Sequence, residues 1–306
     1  MPGAYAHITI VNHVQKLTKK TVMSAETKYA LGAHLKFAEL GAVSPDYPYL
    51  ATGQSLWADN MHYNNTSMLL KTGINKLQEM TGTDREKALS WLFGFAGHMV
   101  TDMTIHPVVE GIVGPYQANK SAHRKCEMHQ DAFIFQKLDL GDVGLTEHLE
   151  TGIASCHVAG DRQKLDGAIS ALWLAMLKAA YPGESPNVVA EPDKWHRGFT
   201  GILDTLTTVN RLFPFSRHVA TNLNLTYPAV AEVDNSYIVN LKTPEGPMNY
   251  EAIFERACKN VLEVWEGLDM ALSGESSAFL DTLDNWNLDT GRTVPKNEYV
   301  FWGKVA

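Results

Sequence analysis

The chain is poor in the residues that would tie it together covalently or anchor it in a bilayer. Its 306 residues include three cysteines, Cys126, Cys156 and Cys258, an odd number with no C-x-x-C spacing. A disulfide framework and a cysteine-type zinc site are both disfavoured. No run of about 18 apolar residues occurs, the length a membrane-crossing helix needs, and even ALWLAMLKAA is broken by Lys178. No membrane span is expected. The N-terminus, MPGAYAHITIVNHVQKL, lacks a basic start followed by a long apolar stretch. No secretory signal is read there, and the cytoplasm is the expected address. Positive charge is also scarce: 26 Lys and Arg stand against 34 Asp and Glu, a net charge of −8. That balance argues against a duplex nucleic acid partner. It still permits a local cationic pocket made by metal ions.

Several catalytic signatures are missing too. The sequence has no G-x-S-x-G, no G-x4-G-K-[ST] and no G-x-G-x-x-G, which disfavours a serine hydrolase elbow, a P-loop and a dinucleotide fold. It has no His-Asp dipeptide, which disfavours the other large helical class of metal phosphohydrolases. It has no Glu-x-x-His, which disfavours a ferritin-like di-iron site.

Histidine is what the chain has in excess. There are twelve, and eight fall at positions 7, 13, 34, 62, 98, 106, 123 and 129. Most of the surrounding sequence reads as helix. Apolar positions recur at three- and four-residue steps over 21–40, and residues 65–81 form a second helical pattern. Between them, GAVSPDYPYL carries Pro45 and Pro48 and is expected to be rigid and extended. Thr83-Asp84-Arg85-Glu86 reads as a capping box opening a third helix, apolar nearly all round and so buried. Pro107 is expected to end it, with His106 at its last turn. A loop over 111–120 leads to a fourth helix near 121–138. Further helices are expected at 161–181, 195–212 and 249–272. Residues 222–248 read as a small hairpin or irregular excursion, and 274–306 as a polar segment wrapping the surface. The expectation is an all-α, multi-helix bundle forming one domain over 1–306. Its metal-site half is 1–135 and its helical remainder 136–306.

The spacing of the histidines carries the chemistry. His98, Asp102 and His106 lie four residues apart in turn, so they share one helix face, with Cβ atoms about 5–6 Å apart. Their neighbours include Phe95, Met99 and Ile105. Burying two imidazoles and a carboxylate without partners costs a few kcal/mol each, and a metal ion relieves that cost. The fourth helix repeats the device with His123 and Glu127, and Asp131 one turn on. His7, Asp46, Asp59 and His62 are upstream candidates. A lone buried histidine is more often a hydrogen-bonded core residue, and one His/Asp pair is ambiguous. Two pairs on neighbouring buried helices favour a metal cluster. His13 and His34 lack carboxylates at helical spacing and are read as structural; His129 points away from the Glu127 face.

These motifs together resemble the zinc-dependent phospholipase C family, which shares an all-helical fold with P1/S1-type nucleases. The carrying stretches are PGAYAHI, GAVSPDYPYL, the following His62, GHMVTDMTIHP and HRKCE. The resemblance covers about residues 1–135. It implies two or three Zn²⁺ ions. Asp46, His62, His98 and Asp102 would hold one, and His106, His123 and Glu127 a second. Asp102 would bridge to a third, also bound by His7. Asp59, in a WAD motif found as a ligand in the nuclease relatives, competes with Asp46. The sixteen-residue gap from Asp46 to His62 favours Asp46. Secreted relatives complete the third site with an N-terminal Trp, absent here; removal of Met1 would offer the Pro2 amine instead. The resemblance implies phospholipase C-like hydrolysis of a small-molecule or lipid phosphoester by a zinc-activated water, with Asp46 taking the proton. The alternatives are a single-strand nuclease with Trp57, Trp91 and Tyr63 as stacking surfaces, another reaction on the same scaffold, and a non-enzymatic structural zinc protein.

Overall fold

The computed structural model describes residues 3–139, 147–183, 188–206, 227–274 and 278–303. Among these the helices are α1 (Ala4–Leu17), α2 (Ala25–Ala33), α3 (Leu35–Gly41), α4 (Ser55–Tyr63), α5 (Thr66–Glu79), α6 (Gly82–Val113), α7 (Lys120–Phe135), α8 (Glu147–Thr151), α9 (Gly167–Ala180), α10 (Pro192–Leu206), α11 (Tyr250–Leu272) and α12 (Ala278–Thr282). Two small antiparallel sheets accompany them, β1 (His157–Val158) with β2 (Asp161–Leu165), and β3 (Trp286–Asn287) with β4 (Arg292–Thr293). The expected all-α bundle is what is observed. No described helix is long and apolar enough to cross a membrane.

The bundle is organised around α6. Its residues from Ala88 to Val109 are buried except Pro107, as a helix apolar on every side requires. α1, α2, α3, α9 and α11 all pack on it. The approach of α3 is especially close. A Cβ at Gly94 would lie 1.9 Å from the Ala38 carbonyl oxygen, and one at Gly41 would lie 2.0 Å from that of Trp91. Only hydrogen at both positions lets the backbones meet. Just beyond that crossing, Ala42 presents its carbonyl to His98.

Several local expectations need correction. The 21–40 helix is two helices, broken at His34, where φ is −122°; the His34 carbonyl accepts the Phe37 N–H and the Ser90 hydroxyl of α6, both at 2.9 Å. The GAVSPDYPYL segment is not extended: Ser44–Leu50 is a 3-10 helix. Pro45 sits at its start, where a missing N–H costs nothing, and Trp91 pins Ser44 by an indole bond of 2.8 Å. Helix α6 does not stop at Pro107 but runs to Val113, and its N-cap is Thr81, whose side chain makes no capping bond. Packing on both sides outweighs the bond that Pro107 removes. Residues 161–165 form a strand rather than a helix start, because Gly160 turns the chain at φ +82° and the Asp166 side chain caps α9 at Ala168. Residues 207–212, expected as helix, lie outside the described residues. The 222–248 excursion, described from Tyr227, is irregular, with a hairpin-like bridge between Leu241 and Met248.

The α3–α6 crossing yields a test. Gly94→Ala is expected to lower the unfolding free energy by about 1–3 kcal/mol or more through overpacking. Gly201→Ala, on α10 with open space around it, is expected to be neutral or stabilising by up to about 1 kcal/mol. Chemical denaturation of the two variants decides it.

Candidate metal centre

Asp102 stands at mid-height on α6, fully buried. Imidazoles from three helices face it. His7 Nε2 lies 3.2 Å from Oδ1, His98 Nε2 3.3 Å and His62 Nε2 3.5 Å from Oδ2, and His106 Nε2 4.0 Å from Oδ1. Asp46 adds a second carboxylate, its Oδ1 3.4 Å from His62 Nε2. His7 comes from the second turn of α1, Asp46 from the 3-10 segment and His62 from the end of α4.

Apart from His7, the far side of each ring is fixed by backbone. The Nδ1–H groups of His62, His98 and His106 donate to the carbonyls of Ala58, Ala42 and Leu288 at 2.7, 2.8 and 2.6 Å. His123 uses the opposite nitrogen, Nε2, to reach the Gly114 carbonyl at 2.6 Å, leaving Nδ1 3.9 Å from Glu127. Metal-binding histidines are commonly oriented this way. Both oxygens of Asp102, Asp46 Oδ1, His98 Nε2, His7 Nε2 and His123 Nδ1 are buried without a well-aligned hydrogen bond. Unsatisfied groups at this density are costly. Two ligands about 2.0–2.1 Å from one tetrahedral zinc lie about 3.3 Å from each other, and the 3.2–3.5 Å separations here match that edge.

Two triads bring their donor atoms mutually within 4.8 Å: His7, His98 and Asp102, and Asp46, His62 and His98. The His106, His123 and Glu127 trio is not among the described sets drawn this tight. Asp59 stands apart, accepting the Tyr49 hydroxyl at 2.7 Å. Met1 and Pro2 lie outside the described residues, and with them the expected N-terminal ligand.

The charges of Asp102, Asp46 and His7 fit cation binding, whereas His98 is raised, its burial outweighed by the carboxylates of Asp102 and Asp46. Burial alone would raise the Asp102 carboxyl, but the imidazoles of His98 and His106 hold it well below the usual range. Asp46 is likewise lowered, burial being outweighed by His98 and His62. His7 is pushed down to about 4 by burial and by His98, stacked on it at 4.1 Å between ring centroids. Ionised carboxylates and a neutral imidazole are the forms a metal takes up.

A family model for zinc-dependent phospholipase C matches residues 6–183. The chain belongs to the zinc-dependent phospholipase C family. The match runs past the motif-bearing first 135 residues to the end of α9. Searches of curated proteins and of solved structures gave no match. Family membership and the two donor triads together support a metal-dependent hydrolase that uses zinc.

Other residues have different fates. His129 Nδ1 accepts the Asp234 N–H at 3.0 Å, away from the centre. His34 pairs with Glu86 across helices at 3.1 Å, a partner helical spacing does not reveal, and His13 lies edge-on to Phe254. Trp57 and Trp91 are core residues, unavailable for base stacking. Sequence reasoning missed Leu288 and Asp289, from a segment expected only to wrap the surface; a lone Asp in a polar stretch carries no spacing signal.

Asp131 does not join the centre. Its Oδ1 accepts the Ala6 N–H at 2.8 Å and its Oδ2 the Tyr227 hydroxyl at 2.9 Å, so it caps α1 from α7 just before His7. Burial pushes its carboxyl up to about 7, against the stabilising bond from Ala6. The folded value exceeds the unfolded one of about 3.9. Its contribution to stability is therefore complete below about pH 4 and lost as pH rises toward 7. Asp131→Asn is expected to flatten the stability of chelator-treated protein across that window. Denaturation midpoints at several pH values check this.

Proposed function

We propose that this chain is a zinc-dependent phosphoester hydrolase acting on a small-molecule or lipid phosphoester in the manner of a phospholipase C. The observation that carries the reading is Asp102, a buried carboxylate with four imidazole nitrogens within 4.0 Å. We assign one ion to Asp46, His62, His98 and Asp102, and a second to His106, His123 and Glu127. Asp102 and His7 belong to a third.

Bound zinc supplies a nucleophilic water at neutral pH and neutralises charge on the phosphoryl group. The chain's residues do the rest. Asp46, ionised and at the edge of the cluster, accepts the proton of the attacking water. The anchored rings hold their lone pairs in fixed directions, so little reorganisation is needed as charge develops. The overall negative charge of the chain repels polyanions, and metal ions held by these residues would make the centre cationic and favour a small phosphate ester. The buried indoles of Trp57 and Trp91 weigh against the single-strand nuclease alternative.

Purified protein is expected to contain zinc and to hydrolyse bis(p-nitrophenyl) phosphate or phosphatidylcholine. Stoichiometric zinc with no turnover of either, or of single-stranded DNA, would overturn the reading in favour of structural zinc. His98→Ala and Asp102→Asn are expected to lose bound metal and several kcal/mol of stability, because metal binding is coupled to folding. His129→Ala is expected to match wild type in both. Asp46→Asn is expected to lower kcat by about 10²-fold or more. Metal analysis, thermal melts and steady-state kinetics separate these outcomes.

A further inference from the structure

The turn at 285–291 lies beyond the matched residues 6–183, yet it reaches two of the assigned ligands. The Leu288 N–H donates to the His62 carbonyl at 3.0 Å, and the Leu288 carbonyl accepts from His106 Nδ1 at 2.6 Å. The peptide groups of one residue thus join the end of α4 to the lower half of α6. The next residue, Asp289, sets Oδ1 3.7 Å from His106 Nδ1 and accepts the Tyr63 hydroxyl on Oδ2 at 2.6 Å. Asn287 shapes the turn by accepting the N–H groups of Asp289 and Thr290, both at 3.1 Å. Gly291, at φ +67°, seats it on α6: a Cβ there would lie 2.5 Å from the Met103 carbonyl oxygen and from Pro107 Cγ. Pro107 has no N–H to give that carbonyl, and the turn occupies the resulting notch.

We propose that Leu288 and Asp289 are positioning residues for the metal centre. The turn fixes the separation of His62 from His106, and the Asp289 carboxylate beside Nδ1 makes the His106 ring a stronger ligand. Zinc affinity at the ion held by His106 is thereby set by a segment outside the matched region. The Leu288 carbonyl, bonded to Nδ1 at 2.6 Å, fixes the tautomer and direction of the ring, and the Asp289 carboxylate at 3.7 Å adds its charge beside that nitrogen; losing an outer partner of a ligating ring typically costs about 10–100-fold in metal affinity. This inference rests on the ligand assignment proposed above.

The test uses the full chain loaded with zinc and a graded series of chelators, with zinc release as the readout. Asp289→Ala is expected to weaken one ion by about 10–100-fold, and Asp289→Asn, which keeps an oxygen for the Tyr63 hydroxyl, by less. Asp284→Asn, which breaks only a surface pair with Lys296, is expected to bind as wild type. Cobalt substitution is expected to show an altered d–d absorption band in Asp289→Ala with unchanged far-UV circular dichroism, a signature that mere loss of packing does not give. Wild-type zinc affinity and cobalt spectrum in Asp289→Ala would overturn the inference and leave the metal centre standing. Absence of zinc from wild-type protein would overturn both. If Asp289→Ala does not fold, Asp289→Asn decides alone: weakened zinc supports the inference and wild-type affinity overturns it.

Discussion

The rest of the structure depends on a buried carboxylate that no hydrogen bond satisfies. Asp102 lies within α6, the longest of the described helices, fully buried, and both of its oxygens face imidazole nitrogens. Water cannot solvate it there, and no lysine or arginine reaches it among its described ion-pair partners. Taking a charge out of water without compensation costs many kcal/mol. A cation shared among those imidazoles and the neighbouring Asp46 removes the penalty. The arrangement is therefore unfavourable as a protein core and well matched to a zinc centre, as membership of the zinc-dependent phospholipase C family requires.

The surrounding fold is an orienting shell for these side chains. Ala42, Ala58, Gly114 and Leu288 each give a backbone carbonyl to one ring nitrogen. Ala42 and Gly114 sit at helix C-termini and Leu288 in a turn, where a carbonyl has no helical partner, while Ala58 lies inside α4, one turn before His62. The glycine crossing of α3 on α6 brings Ala42 into range, and Asp131 ties the start of α1, which carries His7, to α7, which carries His123 and Glu127. Each ligand-bearing element is thus held by a bond to another element.

Helix spacing made part of the centre legible. His98, Asp102 and His106, and separately His123 and Glu127, could be placed on common faces because residues four apart on a helix must point the same way. The choice of Asp46 over Asp59 came from motif resemblance, and the coordinates place Asp46 beside His62 and Asp59 beside Tyr49. Local errors arose where neighbouring elements override propensity. Pro107 suggests a stop that packing on α6 overrules, and the two prolines of the SPDYPYL segment suggest a rigid, extended loop where Trp91 and Ser44 hold a 3-10 helix.

By itself the sequence determined the helical character, the family, and the residues rich enough in ligand chemistry to matter, because periodicity and residue type are local properties. Tertiary structure decided how those residues meet. It placed His7 against Asp102 across 95 positions of chain, diverted Asp131 to a helix cap, left His106 and His123 more loosely gathered, and brought Leu288 and Asp289 to the centre. Such contacts depend on how whole helices cross and on which backbone groups their ends leave open, and no window of sequence encodes that.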